Sequence, residues 1–212
     1  MKTIKTDGIG FLEPLEGSGG WYFGTDYTSG DLYEAEELYR DGHRISKNRL
    51  IFVHKKQGRV REPVKAREGQ YFGRPVYDSG RIVILLVDFP AGEVRLLAFA
   101  PGSRKQLQTL AALPLAEIPD CYNLMPHTAP LTLTRQASDN TFQILWPERI
   151  SFAIGPRETF CFRKGDRLFF SRWHEDPDYR EEVIVRDLKG RVLRESPGST
   201  LTLDDGTVWL LR

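Results

Sequence analysis

The sequence predicts an all-β fold assembled from repeated, hairpin-rich units, and three observations lead there. One octad occurs three times, at residues 53–60, 87–94 and 185–192, each opening and closing on Val with Gly58, Gly92 or Gly190 in sixth place. Such a segment reads as the end of one strand, a Gly-bearing tight turn and the start of the next strand. The run Trp21-Tyr22-Phe23-Gly24 through Ser29-Gly30 matches Gln70-Tyr71-Phe72-Gly73 through Ser79-Gly80 with one residue of slippage, which marks a copied unit. Finally, short runs rich in Val, Ile, Leu, Phe and Tyr, punctuated by Gly, Pro and Asp, dominate the chain, as they do in strand-built folds.

In order along the chain, strands are expected at residues 49–53, 81–89, 93–99, 131–135, 141–146, 167–173, 182–186 and 207–211. The best helical candidate is 31–39, where Asp31 could cap, Glu34 could complete a capping box and Gly42 could stop the helix. The internal match nevertheless aligns this stretch with 81–89, a β-branched run, and copied units should share a structure, so a strand is expected there. Residues 105–113, before Pro114, read equally well as helix or strand. One class of turn is Ser29-Gly30, Ser79-Gly80, Lys164-Gly165 and Asp205-Gly206, with a degenerate member near 121–125. The octads form the other class, with a worn copy at 138–142 and a fainter one at 6–9.

Units of about 40 to 50 residues, each with four short antiparallel strands, resemble the blades of a β-propeller. Residues 203–210 look like the inner strands of many propeller repeats. This resemblance implies a single domain over 1–212 with about five four-stranded blades. Their approximate spans are 21–69, 70–118, 119–162 and 163–203, with a closing blade from 204–212 plus 1–20. The alternative is two β-sandwich or barrel domains split near Pro119.

Composition bounds the function. A hydrophobic content of 40% with 12 Phe, 8 Tyr and 4 Trp supplies a packed core, and 30 Lys plus Arg against 29 Asp plus Glu leave no global field to draw nucleic acid. The first residues lack an apolar signal-like run and nowhere are eighteen consecutive residues apolar, so no membrane association is expected and a cytoplasmic location is. Cys121 and Cys161 form no CxxC pair and suggest neither a disulfide framework nor a zinc site. His43, His54, His127 and His174 lack ligand spacing, and no GxSxG, HExxH, Walker or GxGxxG motif is present. No metal or cofactor is therefore expected.

Five-bladed propellers include glycosidases that work with acidic residues around a central funnel, and the resemblance makes Asp26, Glu34, Glu36, Asp78, Asp88, Glu148 and Asp166 candidates. Glu34 and Glu36 would share a face of a strand, where mutual repulsion would raise one pKa. The matched Tyr22, Phe23, Tyr71 and Phe72 read as core packing. Trp21, opposite Gln70 in the match, has no aromatic counterpart and reads as a contact residue. Residues 40–67 carry ten Lys or Arg against Asp41 and Glu62, whereas 175–187 is acidic. With Phe52 the lone aromatic in the basic segment, a solvated face fits better than nucleic-acid binding. The reading that results is a non-catalytic binding or interaction module for a protein or glycan, with Trp21, Asp26, Glu34 and Glu36 as ligand-binding candidates. Its alternative is a carbohydrate-active enzyme or lectin using a central funnel.

Overall fold

The structure is a computed structural model that describes residues 2–26, 30–45, 48–102, 107–203 and 207–212. Tyr27, Ser29, the beginning of the 105–113 segment and the Asp205-Gly206 turn lie outside the described residues. The chain forms two compact units, Met1–Pro126 and His127–Arg212.

The first unit opens with an antiparallel sheet of β1 (Glu13–Pro14), β2 (Trp21–Thr25), β3 (Leu50–His54) and β4 (Val60–Arg61), paired in chain order. β3 reads as an unbroken apolar run because it is buried on both faces. Leu50 and Phe52 join Leu15, Phe23, Phe72, Ile82, Ile84, Leu86 and Leu97 in the main core, while Ile51 and Val53 pack with Ile9 in a second cluster. The second sheet contains β5 (Gln70–Phe72), β6 (Val76–Asp78), β7 (Arg81–Asp88), β8 (Glu93–Phe99) and β9 (Gln108–Pro114). β7 is its centre, pairing with β5 and β6 along one side and β8 along the other, with β9 at the edge. A 3-10 turn, Leu115–Glu117, follows β9. The matched triplets are equivalent in structure: Phe23 and Phe72 share the core, Tyr71 is buried and Tyr22 is partly buried.

Between β2 and β3 lies α1 (Leu32–Arg40), where a strand was expected. The copied pattern breaks here because the chemistry of the two copies differs. Residues 82–87 carry β-branched side chains suited to a pleated surface, whereas α1 draws on Leu, Glu and Ala, which lose little freedom in a helix. Asp31 closes the case by accepting hydrogen bonds from the backbone N–H of Tyr33 at 3.0 Å and Glu34 at 3.1 Å. The other ambiguous segment resolves the opposite way, its residues from Gln108 forming β9.

The second unit carries β10 (Met125–His127, which begins just before it), β11 (Thr132–Gln136), β12 (Thr141–Trp146) and β13 (Ile150–Ala153) in one antiparallel sheet. Another holds β14 (Glu158–Lys164), β15 (Arg167–His174), β16 (Arg180–Asp187) and β17 (Val192–Pro197). Their core is aromatic: Phe142, Phe160 and Phe170 meet with ring centroids 4.8 to 5.4 Å apart, among Ile144, Ile154, Leu168 and Ile184. β17 is an edge strand, exposed at Val192, Leu193, Arg194 and Glu195 and ending on Pro197. A two-stranded ribbon follows, β18 (Ser199–Thr202) with β19 (Val208–Leu211).

The architecture is thus all-β and propeller-type, with four blade-like antiparallel sheets rather than about five. All three octads are hairpin connections, β3 to β4, β7 to β8 and β16 to β17, with Gly58, Gly92 and Gly190 at φ of 63°, 65° and 81°, a region that a side chain disfavours. Toward the two ends of the chain the pairing is local, β1 with β2 and β18 with β19. Local pairing of 199–202 with 208–211 closes a short loop, which costs far less chain entropy than joining residues almost two hundred positions apart.

Candidate functional site

The four residues singled out in the sequence lie on one sheet and its connecting helix, in different surroundings. Trp21 begins β2, with its indole meeting the His54 imidazole edge-on at 4.9 Å and packing against the main core. Asp26 follows the far end of β2, about 16 Å away at the rise of an extended strand. There its Oδ1 accepts a hydrogen bond from the Arg49 backbone N–H at 2.7 Å, holding the β2–β3 pair together beyond its last strand residue. Glu34 and Glu36 do not share a face, because two steps along a helix rotate a side chain by about 200°. Glu36 is 5% exposed, and its carboxylate accepts from Arg40 Nη2 at 2.5 Å and from the Cys121 backbone N–H at 2.7 Å. It therefore ties α1 to the segment before β10. Glu34 is exposed and lines an open cleft of about 550 Å³.

That cleft is formed by the first turn of α1, Arg74 and residues 121–125. Two of its charged groups serve the fold: Asp31 caps α1, and Arg74 Nη2 donates to Glu13 at 2.5 Å. The Cys121 thiol at its wall is pushed well above the usual thiol range by burial and then by the neighbouring Glu36 carboxylate, so it stays protonated and is a poor nucleophile. The remaining thiol, Cys161 on β14, is raised by burial as well. Among the described histidines, His54 holds Trp21, His174 Nε2 lies 3.2 Å from Glu182, and His127 stands edge-on to Phe160 at 4.8 Å. Desolvation pushes His127 down to about 4, keeping its ring neutral.

In the second unit the polar centre is a buried ion pair. Arg186 donates from Nε and Nη2 to Glu158 at 3.1 and 2.9 Å, with Arg172 at 3.9 Å. Gly155 makes room for it, since a Cβ there would sit 2.6 Å from Glu158 Oε1. This pair is engaged on both sides and fixes the position of β14 against β16.

A different feature of that unit faces outward. In the β18–β19 ribbon, Leu201 lies opposite Trp209 and Ser199 opposite Leu211, so these four residues share one face. Leu201, Trp209 and Leu211 are 43%, 53% and 45% exposed. The other face contains Thr200, whose hydroxyl meets the Cys161 thiol of β14, and Leu210, 42% exposed. Close backbone contact seats the ribbon, with Gly198 at φ 113° where a Cβ would lie 1.9 Å from the Leu211 carbonyl oxygen. Sequence reasoning missed this surface. Residues 203–210 look like the inner strands of propeller repeats, and only the register shows that Leu201, Trp209 and Leu211 fall on one side.

Comparison with protein-family models and with curated proteins gives no match. Among the described residues, no helix is long and apolar enough to cross a membrane.

Proposed function

We propose that this chain is a non-catalytic protein-interaction module that docks an apolar surface of its partner on the outward face of the β18–β19 ribbon. The observation that carries this reading is the alignment of Leu201, Trp209 and Leu211 on one exposed face. Contiguous exposed apolar surface is the ordinary mark of an interaction site, and Trp is the residue most enriched at energetic centres of interfaces. A two-stranded ribbon is marginal by itself in water, which gives the ribbon a stabilising gain from being covered. Protein is favoured over glycan because the ring of Trp21 is held edge-on by His54 and packed on the core, leaving less of it for stacking on a sugar. Absence of catalysis is supported by the cleft beside α1, where Asp31, Arg74 and Cys121 are occupied in capping, ion pairing and burial, which leaves exposed Glu34 without a second uncommitted carboxylate in the lining.

The test replaces Trp209 with a photo-reactive benzoylphenylalanine and, separately, Asp139 in an exposed turn of the same unit. Irradiation in an extract of the source cells is expected to give discrete adducts from position 209 and none from 139. Excess wild-type chain should compete them away, while a chain carrying Leu201→Ser and Leu211→Ser should not. Equal labelling at 139 and 209, or competition by the double variant, would remove the ribbon as the docking face.

A further inference from the structure

A second cleft, of about 510 Å³, lies on the second sheet of the first unit. Leu86 and Leu97, members of the main core, form its floor at 3% and 6% exposure, and Leu107 at 38% stands at its side. Thr109 and Ala112 of β9 lie over this end of the core, so the two leucines stay covered and Leu107 is an exposed apolar side chain of the cleft. Three cations, Lys65, Arg67 and Arg95, stand around it. The one buried carboxylate below them, Asp88, is already served by Gln70 Nε2 at 2.6 Å and the Ala91 backbone N–H at 3.1 Å. It sits 3.7 Å from both Arg67 and Arg95. Glu93 pairs with Arg95 at 2.6 Å, while Lys65 is exposed and the Arg67 side chain is 77% exposed. An apolar slot with a cationic margin suits a segment that presents one large apolar side chain among carboxylates.

This chain carries such a segment. The connection between β15 and β16, residues 175–179, reads Glu175, Asp176, Pro177, Asp178 and Tyr179, all exposed, with Tyr179 at its end 67% exposed. The Tyr179 hydroxyl donates to Glu181 at 2.5 Å, which fixes the ring on the strand end. We propose that the Tyr179 connection of one copy docks in the Lys65–Arg67–Arg95 cleft of a second copy, the aromatic ring packing against Leu107 and the three acids meeting the three cations. Charge complementarity between two exposed features, each with its own apolar centre, carries the assignment. The contact is heterologous, since each copy contributes a different surface, and it is independent of the ribbon face.

Charge exchange tests it on the full chain. One variant carries Lys65→Glu and Arg67→Glu, the other Asp176→Lys and Asp178→Lys, and sedimentation velocity is recorded against concentration. The wild type is expected to show a concentration-dependent rise in sedimentation coefficient that weakens as salt shortens the screening length from ~10 Å at 0.1 M to ~3 Å at 1 M. Each variant alone should lose that rise, and an equimolar mixture should regain it, because the reversed loop of one variant then meets the reversed cleft of the other and the unreversed loop meets the unreversed cleft, each pair opposite in sign. Circular dichroism equal to the wild type keeps loss of fold from counting as loss of contact. A wild type that stays monomeric throughout, association that survives both reversals, or a mixture that fails to reassociate would overturn the proposal. Binding of a foreign acidic peptide to the cleft by a monomeric wild type would overturn it too, assigning the cleft to another protein.

Discussion

At the scale of single residues, the second unit concentrates its electrostatics in one buried pair, and the cost of breaking it falls on the partner left behind. Glu158→Ala leaves the Arg186 guanidinium, 11% exposed, without its carboxylate, and removal of one member of a buried pair costs about 3 to 5 kcal/mol. Urea unfolding should show a loss of that size. His127 sets a pH dependence of opposite chemistry. Its folded pKa of about 4 lies below the usual 6.5, so the unfolded chain binds the extra proton. Stability is therefore full above pH 6.5 and declines as pH falls toward 4, by at most about 3 kcal/mol for a shift of this size. His127→Gln should flatten that stretch of the stability profile, and an unchanged slope would place the titration elsewhere. Neither residue announces its role in the sequence, since burial is set by partners such as Phe160, Gly155 and Arg186 that lie far along the chain.

Among elements, α1 shows how a repeat can mislead. The match from Trp21 to Gly24 against Gln70 to Gly73 is real at the level of packing, with Phe23 and Phe72 in one core, yet it fails at Leu32–Arg40, which is helix where its counterpart is strand. The capping signature of Asp31 is legible in the sequence and holds, whereas the copied pattern points the other way. What no pattern reveals is that Glu36 reaches Cys121, 85 positions away. Glu36→Ala strands that buried N–H and should cost about 1 to 3 kcal/mol, whereas Glu34→Ala, at an exposed position, should stay within about 0.5 kcal/mol. Equal losses in thermal unfolding would mean that the Glu36 bonds contribute nothing particular. The hairpin octads, by contrast, were fully legible, because a Gly in a left-handed turn between two β-branched runs has few other readings. The ribbon face was not, since exposure depends on which way a paired strand is turned.

For the molecule as a whole, the all-β propeller-type architecture followed from turn rhythm, while the blade count and the fate of both ends did not, since strand pairing across long separations leaves no local trace. A net charge of +1 and an isoelectric point near 7.8 place the chain close to charge balance at physiological pH, a condition that promotes association. Light scattering should find solubility lowest near pH 7.8 and rising on both sides, more steeply for a chain bearing Trp209→Ser. A profile without a minimum would show that local patches outweigh the overall charge. That same sensitivity gives new meaning to the end of β17. An unpaired strand edge invites copies to add to it one after another, as in a growing fibre, but β17 presents Arg194 and Glu195 and terminates on Pro197, which has no N–H to offer. The exposed apolar ribbon proposed as a docking face thus stands beside a strand that is unsuited as a template, so exposure of the one does not bring growth from the other.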